Sequence, residues 1–531
     1  MTTRIIGIEG TAWAASAAVF EFDPDDFSDA AAPTVETDAY QPDSGGLHPR
    51  EAAEHMSEAI PAVIETVLDG AEGPIDAVAF SRGPGLGPCL RTVGTAARAL
   101  AGTLDVPLVG VNHMLAHLEI GRHGSGFDAP VCLNASGANA HLLGYHGGRY
   151  RVLGETMDTG VGNAIDKFTR HVGWSHPGGP KVEEAAKGGE YVDLPYVVKG
   201  MDFSFSGLMS AAKGAYDDGT PVEDVCFSLQ ETTFAMLTEV SERALSLTGA
   251  DELVLGGGVG QNERLRGMLA AMCEERGAEF YAPDPRYLRD NAGMIAVLGG
   301  KMLAAGETIG IDESAIDPNY RPDEVPVTWH AEESVSVGAV DTAERQGAEA
   351  VVTVADDRVV KRRLPKAYRH PDLDARLRRE RTVAEARLTS EARRHGVPTP
   401  VVYDVDVADA TLTLSRVGDR DLAADLSPAH ARAVGDHLAT LHRAGVVHGD
   451  PTVRNVRIGT DRLFLIDFGL GYHSGHVEDH AMDCHVFGGS VRGTADDPGT
   501  VLSAFEAGYA DAGDDAVLSR LREIEGRGRY Q

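Results

Sequence analysis

The sequence predicts two consecutive α/β units, and the first unit has two related lobes. Short apolar segments alternate with helical stretches along most of the chain, which is typical of α/β folds. A strand, a tight polar turn and a second strand occur at residues 5–20 and again at residues 131–145. This repeated pattern indicates a duplicated lobe. A further α/β pattern begins near Gly347, after a polar stretch punctuated by prolines.

The individual elements follow from apolar runs and their polar boundaries. The predicted elements are strands at 5–8, 17–20 and 77–80, a helix at 90–101, strands at 131–134, 141–145 and 253–255, and a helix from about Asn262. Three prolines mark the end of the first unit, which we place at residues 1–329. Residues 330–343 are predicted to be a linker, and residues 344–531 to form the second unit.

The chain is strongly acidic. Its 531 residues include 48 Lys and Arg against 81 Asp and Glu, a formal net charge of −33. Such a chain either repels polyanions and binds cations, or comes from a salt-rich cytosol in which excess acid keeps proteins soluble. The acidic residues are scattered along the chain, so we favour adaptation to a salt-rich cytosol. The net charge therefore does not exclude a nucleic-acid partner.

Three absences bear on the location of the protein. No apolar run approaches the ~18–20 residues of a membrane span. The N-terminus lacks the basic and apolar regions of a signal peptide. The five cysteines lie far apart without a CxxC pair, which indicates neither a disulfide framework nor a thiolate zinc site. We therefore expect a cytoplasmic protein without a membrane partner.

Two histidines form a candidate metal site. His113 and His117 are four positions apart, so on a helix they share one face and both imidazoles can converge on one ion. Two ordinary surface histidines are the alternative. A metalloprotease would need a glutamate beside the first histidine as general base, and Met114 stands there instead. The pattern therefore argues against peptide hydrolysis, which is the first rival function.

Two glycine-rich loops are typical of phosphate binding. Backbone N–H groups approach an anion closely where side chains are absent, and a following helix adds a favourable dipole. Residues 83–87 and 256–260 both have this composition and both precede a predicted helix. Together they predict that the first unit binds a phosphate-containing ligand.

One segment is basic within this acidic chain. Residues 361–394 contain twelve Lys and Arg against five Asp and Glu. A run of this kind is either a solvated, salt-bridged helix face or the binding surface of an anionic partner. The sequence leaves both alternatives open.

The second unit contains the spacing of a kinase catalytic loop. Asp450 precedes Asn455 by five positions, and Asp467 begins an Asp-Phe-Gly triplet. This spacing predicts Asp450 as the catalytic residue, with Asn455 and Asp467 as Mg²⁺ ligands. Lys361 fits the strand lysine that contacts the ATP phosphates. Glu385, on the following helix, is its candidate ion-pair partner.

Nine motifs in the first unit resemble those of a known family. In chain order they are GIEGTA (7–12), GGLHPREAAEH (45–55), SRGPGLGPCLR (81–91), NHMLAHLE (112–119), GNAIDKF (162–168), HPGGPKVE (176–183), FSFSGL (203–208), GGGVGQNERLR (256–266) and RDNAGMIA (289–296). Over residues 4–329 they resemble the universal tRNA threonylcarbamoyladenosine transferases, in the archaeal–eukaryotic branch. The resemblance implies the actin/sugar-kinase/chaperone-like fold, with two RNase-H-like lobes and nucleotide in the cleft.

The resemblance also implies an activity. It is the transfer of a threonylcarbamoyl group from threonylcarbamoyl-AMP to the exocyclic amine of adenosine 37, beside the anticodon of tRNAs that read codons starting with A. One divalent metal, with iron favoured and zinc as the alternative, would bind His113, His117 and Asp290. The residues implied at the adenylate are Asn134, Ala135, Ser136, Gly137, Ala138, Asp166, Gly179, Glu183 and Asn262.

The chain departs from the family pattern at one strand–turn. The archaeal pattern there is close to LYVSGGNT, and its tyrosine is expected to be a further metal ligand. Asn134 stands at that position. Because an amide oxygen is a weaker and uncharged ligand, we expect Asn134 to contact the substrate and to be a doubtful metal ligand. Ala138 replaces a glycine, which narrows the loop slightly.

Residues 344–531 resemble the small atypical serine/threonine kinase that partners this transferase in the KEOPS complex. The resemblance implies a small bilobal kinase-like domain that binds ATP and Mg²⁺, hydrolyses ATP and supports tRNA modification together with other KEOPS subunits. Gly347, Lys361 and Glu385 would contact ATP. Fusion of the two units keeps the kinase at high effective concentration beside the transferase.

Two further rival functions remain, and both concern the second unit. A signalling kinase with an actin-like regulatory lobe would carry a glycine-rich ATP loop, where only Gly347 stands, and an Ala-Pro-Glu motif, which is absent after Asp467. A non-catalytic assembly scaffold would not need the intact Lys361, Asp450 and Asp467. We therefore interpret the chain as a bifunctional tRNA-modifying enzyme.

Overall fold

The computed structural model describes residues 2–27, 30–40, 48–146, 148–330 and 344–526. Of the predicted linker, His330 is described, and residues 331–343 lie outside the described residues. His330 stacks on Tyr145 with 4.5 Å between ring centroids, and its Nε2 lies 2.6 Å from the Tyr150 hydroxyl. The packing of the first unit therefore extends to His330.

The first lobe is a five-stranded sheet with helices packed on it. Its elements are β1 (Thr3–Glu9), β2 (Ala14–Phe22), β3 (Thr34–Ala39), α1 (Pro49–Asp69), β4 (Ala77–Gly83), α2 (Gly87–Leu104), β5 (Leu108–Asn112) and α3 (His113–Ser125). The strand order is β3-β2-β1-β4-β5. Strand β1 pairs antiparallel with β2 and parallel with β4.

The second lobe repeats this arrangement. Its elements are β6 (Val131–Ala135), β7 (Ala140–His146), β8 (Arg149–Glu155), α4 (Val161–His171), α5 (Gly179–Ala186), β9 (Val198–Lys199), β10 (Asp202–Phe203), α6 (Ser206–Asp217), α7 (Val222–Thr248), β11 (Glu252–Gly256), α8 (Glu263–Arg276), β12 (Glu279–Tyr281), α9 (Pro285–Leu288) and α10 (Ala292–Ala304). The order is β12-β11-β6-β7-β8, with β6 antiparallel to β7 and parallel to β11. The predicted α/β fold with two related lobes is confirmed.

Two helices connect the lobes to the rest of the molecule. Helix α10 returns to the first lobe and packs against β1 so closely that a Cβ atom on Gly7 would lie 2.6 Å from the Ala296 nitrogen. Helix α7 is buried along nearly its whole length from Val225 onward. One side of α7 contributes Phe234 and Leu237 to the core of the second lobe, which leaves its polar residues for contacts with the second unit.

The second unit has a sheet followed by a helical part. Its elements are β13 (Glu344–Gln346), β14 (Ala350–Val354), β15 (Arg358–Arg363), α11 (Pro371–Arg394), β16 (Val402–Asp406), β17 (Thr411–Ser415), β18 (Arg420–Asp421), α12 (Pro428–Arg443), β19 (Val446–Val447), β20 (Val456–Ile458), β21 (Leu463–Leu465), β22 (Tyr472–His473), α13 (Val477–Arg492), α14 (Pro498–Ala510) and α15 (Asp515–Gly526). The five-stranded antiparallel sheet has the order β13-β14-β15-β17-β16, and two short sheets lie among the helices. This architecture matches the expected bilobal unit.

The observed helix boundaries have local physical reasons. Helix α2 begins at Gly87, three residues before the predicted start, because Pro88 suits the first turn, where a backbone N–H has no intrahelical acceptor. Helix α8 begins after Asn262, whose side-chain oxygen accepts hydrogen bonds from the backbone nitrogens of Arg264 and Leu265. Among the described residues, no helix is long and apolar enough to cross a membrane.

Candidate functional site

The two histidines and the distant aspartate meet at one point. Asn112 caps α3, so His113 begins the helix and His117 follows one turn later. Asp290 lies just before α10. The Nε2 atoms of His113 and His117 are 3.5 and 3.2 Å from the Asp290 Oδ1 atom, and one ligand atom from each of the three residues lies within 4.8 Å of the others. The expected ligands are therefore brought together in a partly buried group.

Glu9, at the end of β1, holds the outer nitrogen of His113. Its Oε2 lies 3.1 Å from His113 Nδ1, while its Oε1 accepts hydrogen bonds from the backbone nitrogen and hydroxyl of Thr11. Burial opposes protonation of His113, but the carboxylates of Glu9 and Asp290 raise its pKa to about 10. A proton thus balances these carboxylates here, and a bound cation would release it. Glu9 leaves Nε2 as the nitrogen that faces Asp290.

The donor set fits a divalent metal. Two imidazoles and one carboxylate are ligands of iron and zinc alike. Beside them, within the described part of the chain, His117 Nδ1 and Asn134 Oδ1 are buried without a hydrogen-bond partner. Unpaired buried polar atoms are rare and commonly mark an absent ligand, ion or water. The expected site therefore has both the donors and the unsatisfied polar atoms that such a ligand would contact.

The predicted adenylate loop is a tight turn after β6. The Ser136 nitrogen donates to the Asn139 carbonyl at 2.8 Å, and the Ser136 hydroxyl receives the Asn139 N–H at 3.1 Å. The N-terminus of α4 packs closely on this turn through two glycines. A Cβ atom on Gly162 would lie only 2.8 Å from the Gly137 Cα, so a side chain at position 162 would not fit. Ala135 and Ala138 complete the loop, which lies at the carboxyl end of β6.

The other predicted adenylate residues surround α5. Asp166 Oδ1 accepts a hydrogen bond from the Gly178 nitrogen, just before Gly179 begins the helix. Glu183 Oε1 accepts one from the Glu263 nitrogen at the start of α8. Asn262, which caps α8, also donates to Gln230 Oε1 at 3.1 Å. Helix α4 links this group to the 136–139 turn, so the predicted residues belong to one region of the second lobe.

The first glycine-rich loop has a packing role that the sequence did not indicate. A Cβ atom on Gly83 would lie 1.8 Å from the Asp317 carbonyl oxygen, and one on Gly85 would lie 2.8 Å from atoms of Thr11. The Leu86 nitrogen donates to the Thr11 carbonyl at 2.7 Å. These glycines therefore allow close contacts within the protein, and the composition of residues 83–87 needs no phosphate to explain it.

The kinase-type residues of the second unit form an ion-paired cluster. Lys361 Nζ lies 3.0 Å from Glu385 Oε2 and 2.7 Å from Asp467 Oδ1. Burial opposes the charge on Lys361, but Asp467 and Glu385 raise its pKa. Asp467 has a positive φ of 66°, which is uncommon for a residue with a side chain and is often found at functional sites. Strand β15 and helix α11 thus deliver the expected pair to the Asp467 segment.

The catalytic-loop residues lie opposite this cluster. Asn455 Nδ2 donates to the carbonyl of Asp450 at 2.8 Å and to its Oδ2 at 3.0 Å. Burial raises the pKa of Asp450 to about 6, although Arg243 opposes this rise. The loop is anchored by Asp483, which accepts the N–H groups of the two residues before Asp450. Gly347 is exposed in the turn between β13 and β14, where its nitrogen donates to the Ala350 carbonyl at 2.9 Å.

The basic segment 361–394 has an anionic partner within the same chain. Glu239, on α7, accepts hydrogen bonds from Arg369 at 2.6 Å and from Arg381 at 3.0 Å. The neighbouring Glu242 accepts one from the Tyr368 hydroxyl at 3.1 Å. These contacts join the second unit to the first. Two of the twelve basic residues of the segment are therefore paired with the Glu239 carboxylate of the first unit.

Three further residues belong to the sites and were not predicted. Glu9 lies within the GIEGTA motif, but its distance of 104 positions from His113 concealed the contact. His141, which is buried, is the cross-strand partner of Asn134. Arg243 of α7 reaches Asp450 from the other unit. Of the three, only His141 could have been found from the sequence. It follows the repeated turn by two residues, which places it on the strand paired with Asn134.

Comparisons with known proteins show the family of the chain. The family model for TsaD, tRNA N6-adenosine threonylcarbamoyltransferase, matches residues 31–297. Relatives named "Probable bifunctional tRNA threonylcarbamoyladenosine biosynthesis protein" are 71% identical in Halobacterium salinarum, over 99% of both chains, and 67% identical in Haloarcula marismortui, over 99% of this chain and 100% of the relative. The relative of that name from Methanospirillum hungatei is 51% identical over 99% of both chains. The chain therefore belongs to the family of bifunctional tRNA threonylcarbamoyladenosine biosynthesis proteins, and its first unit to the tRNA N6-adenosine threonylcarbamoyltransferases.

Proposed function

We propose that the first unit transfers the threonylcarbamoyl group of threonylcarbamoyl-AMP to the exocyclic amine of adenosine 37 in tRNAs that read codons starting with A. The observation that supports this proposal most is the group formed by His113, His117 and Asp290. It lies near the carboxyl end of β1, while the 136–139 turn lies at the carboxyl end of β6. Ligand sites of open α/β sheets are found at these strand ends.

The chemistry assigns distinct tasks to the residues. The amine nitrogen attacks the carbamoyl carbon, the bond from that carbon to the phosphate oxygen breaks, and AMP leaves as the amine loses a proton. His113, His117 and Asp290 would hold the metal, and Glu9 keeps His113 in its orientation. A divalent metal, iron by resemblance or zinc, supplies positive charge for the oxygens of the anhydride. The 134–138 loop would hold the adenylate, so the protein mainly positions two reactants.

The test uses the full chain with tRNA, threonylcarbamoyl-AMP and the partner subunits of the KEOPS complex. Modified nucleosides are measured by mass spectrometry, and bound metal by elemental analysis. His113→Ala, His117→Ala and Asp290→Ala should each lose tightly bound metal and modification. His171→Ala is the matched control, because His171 is an exposed histidine on α4 that pairs with Asp217 at 2.8 Å. Full metal occupancy in a variant that carries both His113→Ala and His117→Ala would contradict the ligand assignment.

We also propose that the second unit is an atypical serine/threonine kinase that hydrolyses ATP in support of this reaction. The ion pair of Lys361 with Glu385 supports this proposal, since an active kinase site requires this lysine–glutamate pair. Asn455 and Asp467 would hold Mg²⁺, and Asp450 would face the nucleophile. Gly347, in the β13–β14 turn, would lie near the phosphates. Lys361→Met should abolish ATP turnover, as measured by phosphate release.

The rival functions gain no support from these observations. Met114 occupies the position of a peptidase general base, and the carboxylates near the histidines bind them directly. The relatives are named for tRNA modification over the whole length of the chain, which favours neither a signalling kinase nor a scaffold. We propose the cytoplasm, where tRNA is available, as the place of action.

A further inference from the structure

One arginine of the first unit reaches into the nucleotide cleft of the second. Arg243 lies on α7, and its side chain is 9% exposed. Its Nη2 pairs with Glu349, in the turn between β13 and β14. Its Nη1 lies 3.9 Å from Oδ2 of Asp450, in the catalytic loop. A single guanidinium therefore contacts both parts of the kinase-like unit, the sheet and the helical part.

The guanidinium of Arg243 is also bonded to the first unit. Nη1 donates to the Gly200 carbonyl at 2.9 Å, and Nη2 donates to Glu239 Oε1 at 2.8 Å. Glu239 lies one helical turn before Arg243, so the two residues share a face of α7. The guanidinium is therefore held by two groups of the first unit, and Glu349 adds a partner from the second unit.

Other ion pairs also join the two units. Glu239 already accepts hydrogen bonds from Arg369 and Arg381 of the second unit. Burying one more guanidinium costs several kcal/mol in desolvation, which only well-placed partners offset. Within the described residues, the Nε atom of Arg243 is buried without a hydrogen-bond partner. The carboxylates of Glu239 and Glu349 are the partners that offset this cost for Arg243.

The contacts of Arg243 connect the two halves of the kinase-like site. Glu349 also pairs with Arg381 at 2.8 Å and lies 3.8 Å from Arg363. Arg363 in turn pairs with Glu385, the partner of Lys361. In the catalytic loop, Asp450 accepts a hydrogen bond from the Asn455 side chain. Arg243 therefore places a positive charge between two carboxylates, those of Glu349 and Asp450. This charge reduces the electrostatic repulsion between the two carboxylates across the cleft.

We propose that Arg243 is a positioning residue of the ATP-hydrolysing site, supplied to that site by the transferase unit. This inference rests on the proposed ATP turnover. In that reaction a water oxygen attacks the γ-phosphorus, the bond to the β–γ bridging oxygen breaks, ADP leaves, and Asp450 accepts a proton from the water. Arg243 holds Asp450 and the Glu349 turn in register. The kinase-like site is then complete only when the two units are docked.

The test compares three variants of the full chain. Arg243→Gln removes the positive charge. Arg243→Lys keeps the charge, but an ammonium group lacks the planar set of N–H donors with which a guanidinium bridges two carboxylates. Arg276→Gln is the matched control, because Arg276 contacts Glu242 at 3.4 Å near the same interface and, among the described residues, forms no ion pair with Glu349 or Asp450. The measurements are kcat and KM for ATP hydrolysis, and the affinity for Mg-ADP by calorimetry.

The expected result separates positioning from nucleotide binding. Arg243→Gln should lower kcat about tenfold or more while KM and Mg-ADP affinity stay within about twofold, since misplacing a catalytic group affects the reaction more than ground-state binding. Arg243→Lys should recover part of the loss. Arg276→Gln should keep kcat within about twofold of the wild-type value. An unchanged or increased kcat in Arg243→Gln would overturn the proposal.

Two further measurements keep the outcomes distinct. If Lys361→Met also retained wild-type ATP turnover, the proposed kinase function would be wrong, and not the role of Arg243 alone. If Arg243→Gln did not fold, hydrogen exchange of the β13–β14 turn in Arg243→Lys would provide the test. Faster exchange there with reduced kcat would support the proposal. Unchanged exchange with unchanged kcat would overturn it.

Discussion

Asn134 and His141 face each other as direct partners across β6 and β7, and both have buried polar atoms without a hydrogen-bond partner in the part of the chain that the structure describes. Burial, together with the nearby His117 and His113, lowers the pKa of His141 to about 3. His141 is therefore a neutral imidazole beside the metal ligands. Its position is next to the asparagine that stands where the family pattern has a ligating tyrosine.

We predict that His141 contributes to metal binding and not to the stability of the metal-free protein. His141→Phe should leave the metal-free free energy of unfolding within about 1 kcal/mol, because the replaced nitrogens have no partners to lose. Metal affinity should fall about tenfold or more, as for other residues that support a metal site. Metal titration and urea unfolding measure the two effects.

The control for this prediction is another buried histidine. His442 contacts the Tyr509 hydroxyl at 2.7 Å and Asp483 at 3.1 Å. His442→Phe should therefore destabilise the metal-free protein by about 1–3 kcal/mol, because buried partners lose their hydrogen bonds. An equal loss of stability in both variants, with metal affinity unchanged in His141→Phe, would contradict the prediction.

Asp450→Ala should separate the two activities. ATP turnover by the second unit should be abolished, because Asp450 is the only catalytic-loop carboxylate at the expected position. Metal content and threonylcarbamoyl-AMP affinity of the first unit should be nearly unchanged, whereas multiple-turnover tRNA modification should fall. Asp461→Ala is the control, since Asp461 is exposed and pairs with its neighbour Arg462 at the surface. Wild-type modification without ATP turnover would show that the two reactions are not coupled.

Removing the charge of Glu239 should lower the free energy of unfolding of the protein. Burial opposes the charge of this carboxylate, but Arg381, Arg243 and Arg369 lower its pKa. Glu239→Gln leaves these cations buried around a neutral amide, and breaking such a group costs about 3–5 kcal/mol. The urea midpoint should fall accordingly. Glu184→Gln, at an exposed pair with Lys187, should shift the midpoint little. Equal midpoints in both variants would show that the Glu239 contacts are not stabilising.

Stability should decrease below neutral pH partly because of His123. Burial and the positive charge of Lys301 lower its pKa from 6.5 to about 4. The folded protein thus keeps His123 neutral while the unfolded chain takes up a proton, so stability falls as the pH drops from 6.5 towards 4. His123→Phe should reduce this fall by about 1 kcal/mol, after allowance for solvent screening. Urea unfolding at pH 7 and pH 5 measures it, and an unchanged pH dependence would contradict the assignment.

The chemistry of both sites could be predicted where it depends on short spacings. His113 and His117 share a helix face because they are four positions apart, and Asn112, a preferred N-cap residue, caps that helix. Asp450 and Asn455 are bonded within one loop. The duplicated lobe followed from a repeated local pattern. Such features are set by backbone geometry over a few residues, so the amino-acid order is sufficient to predict them.

The remaining features depend on contacts between distant segments. The basic segment revealed its charge but not its partner, because Glu239 meets Arg369 and Arg381 only after α7 and α11 pack together. The loop at 83–87 has the composition of a phosphate site, yet its glycines are required by close contacts with Thr11 and Asp317. Glu9 on His113 and Arg243 on Asp450 are contacts between segments far apart in the chain. Local propensity does not encode which segments meet, because their meeting depends on the burial of the complete cores.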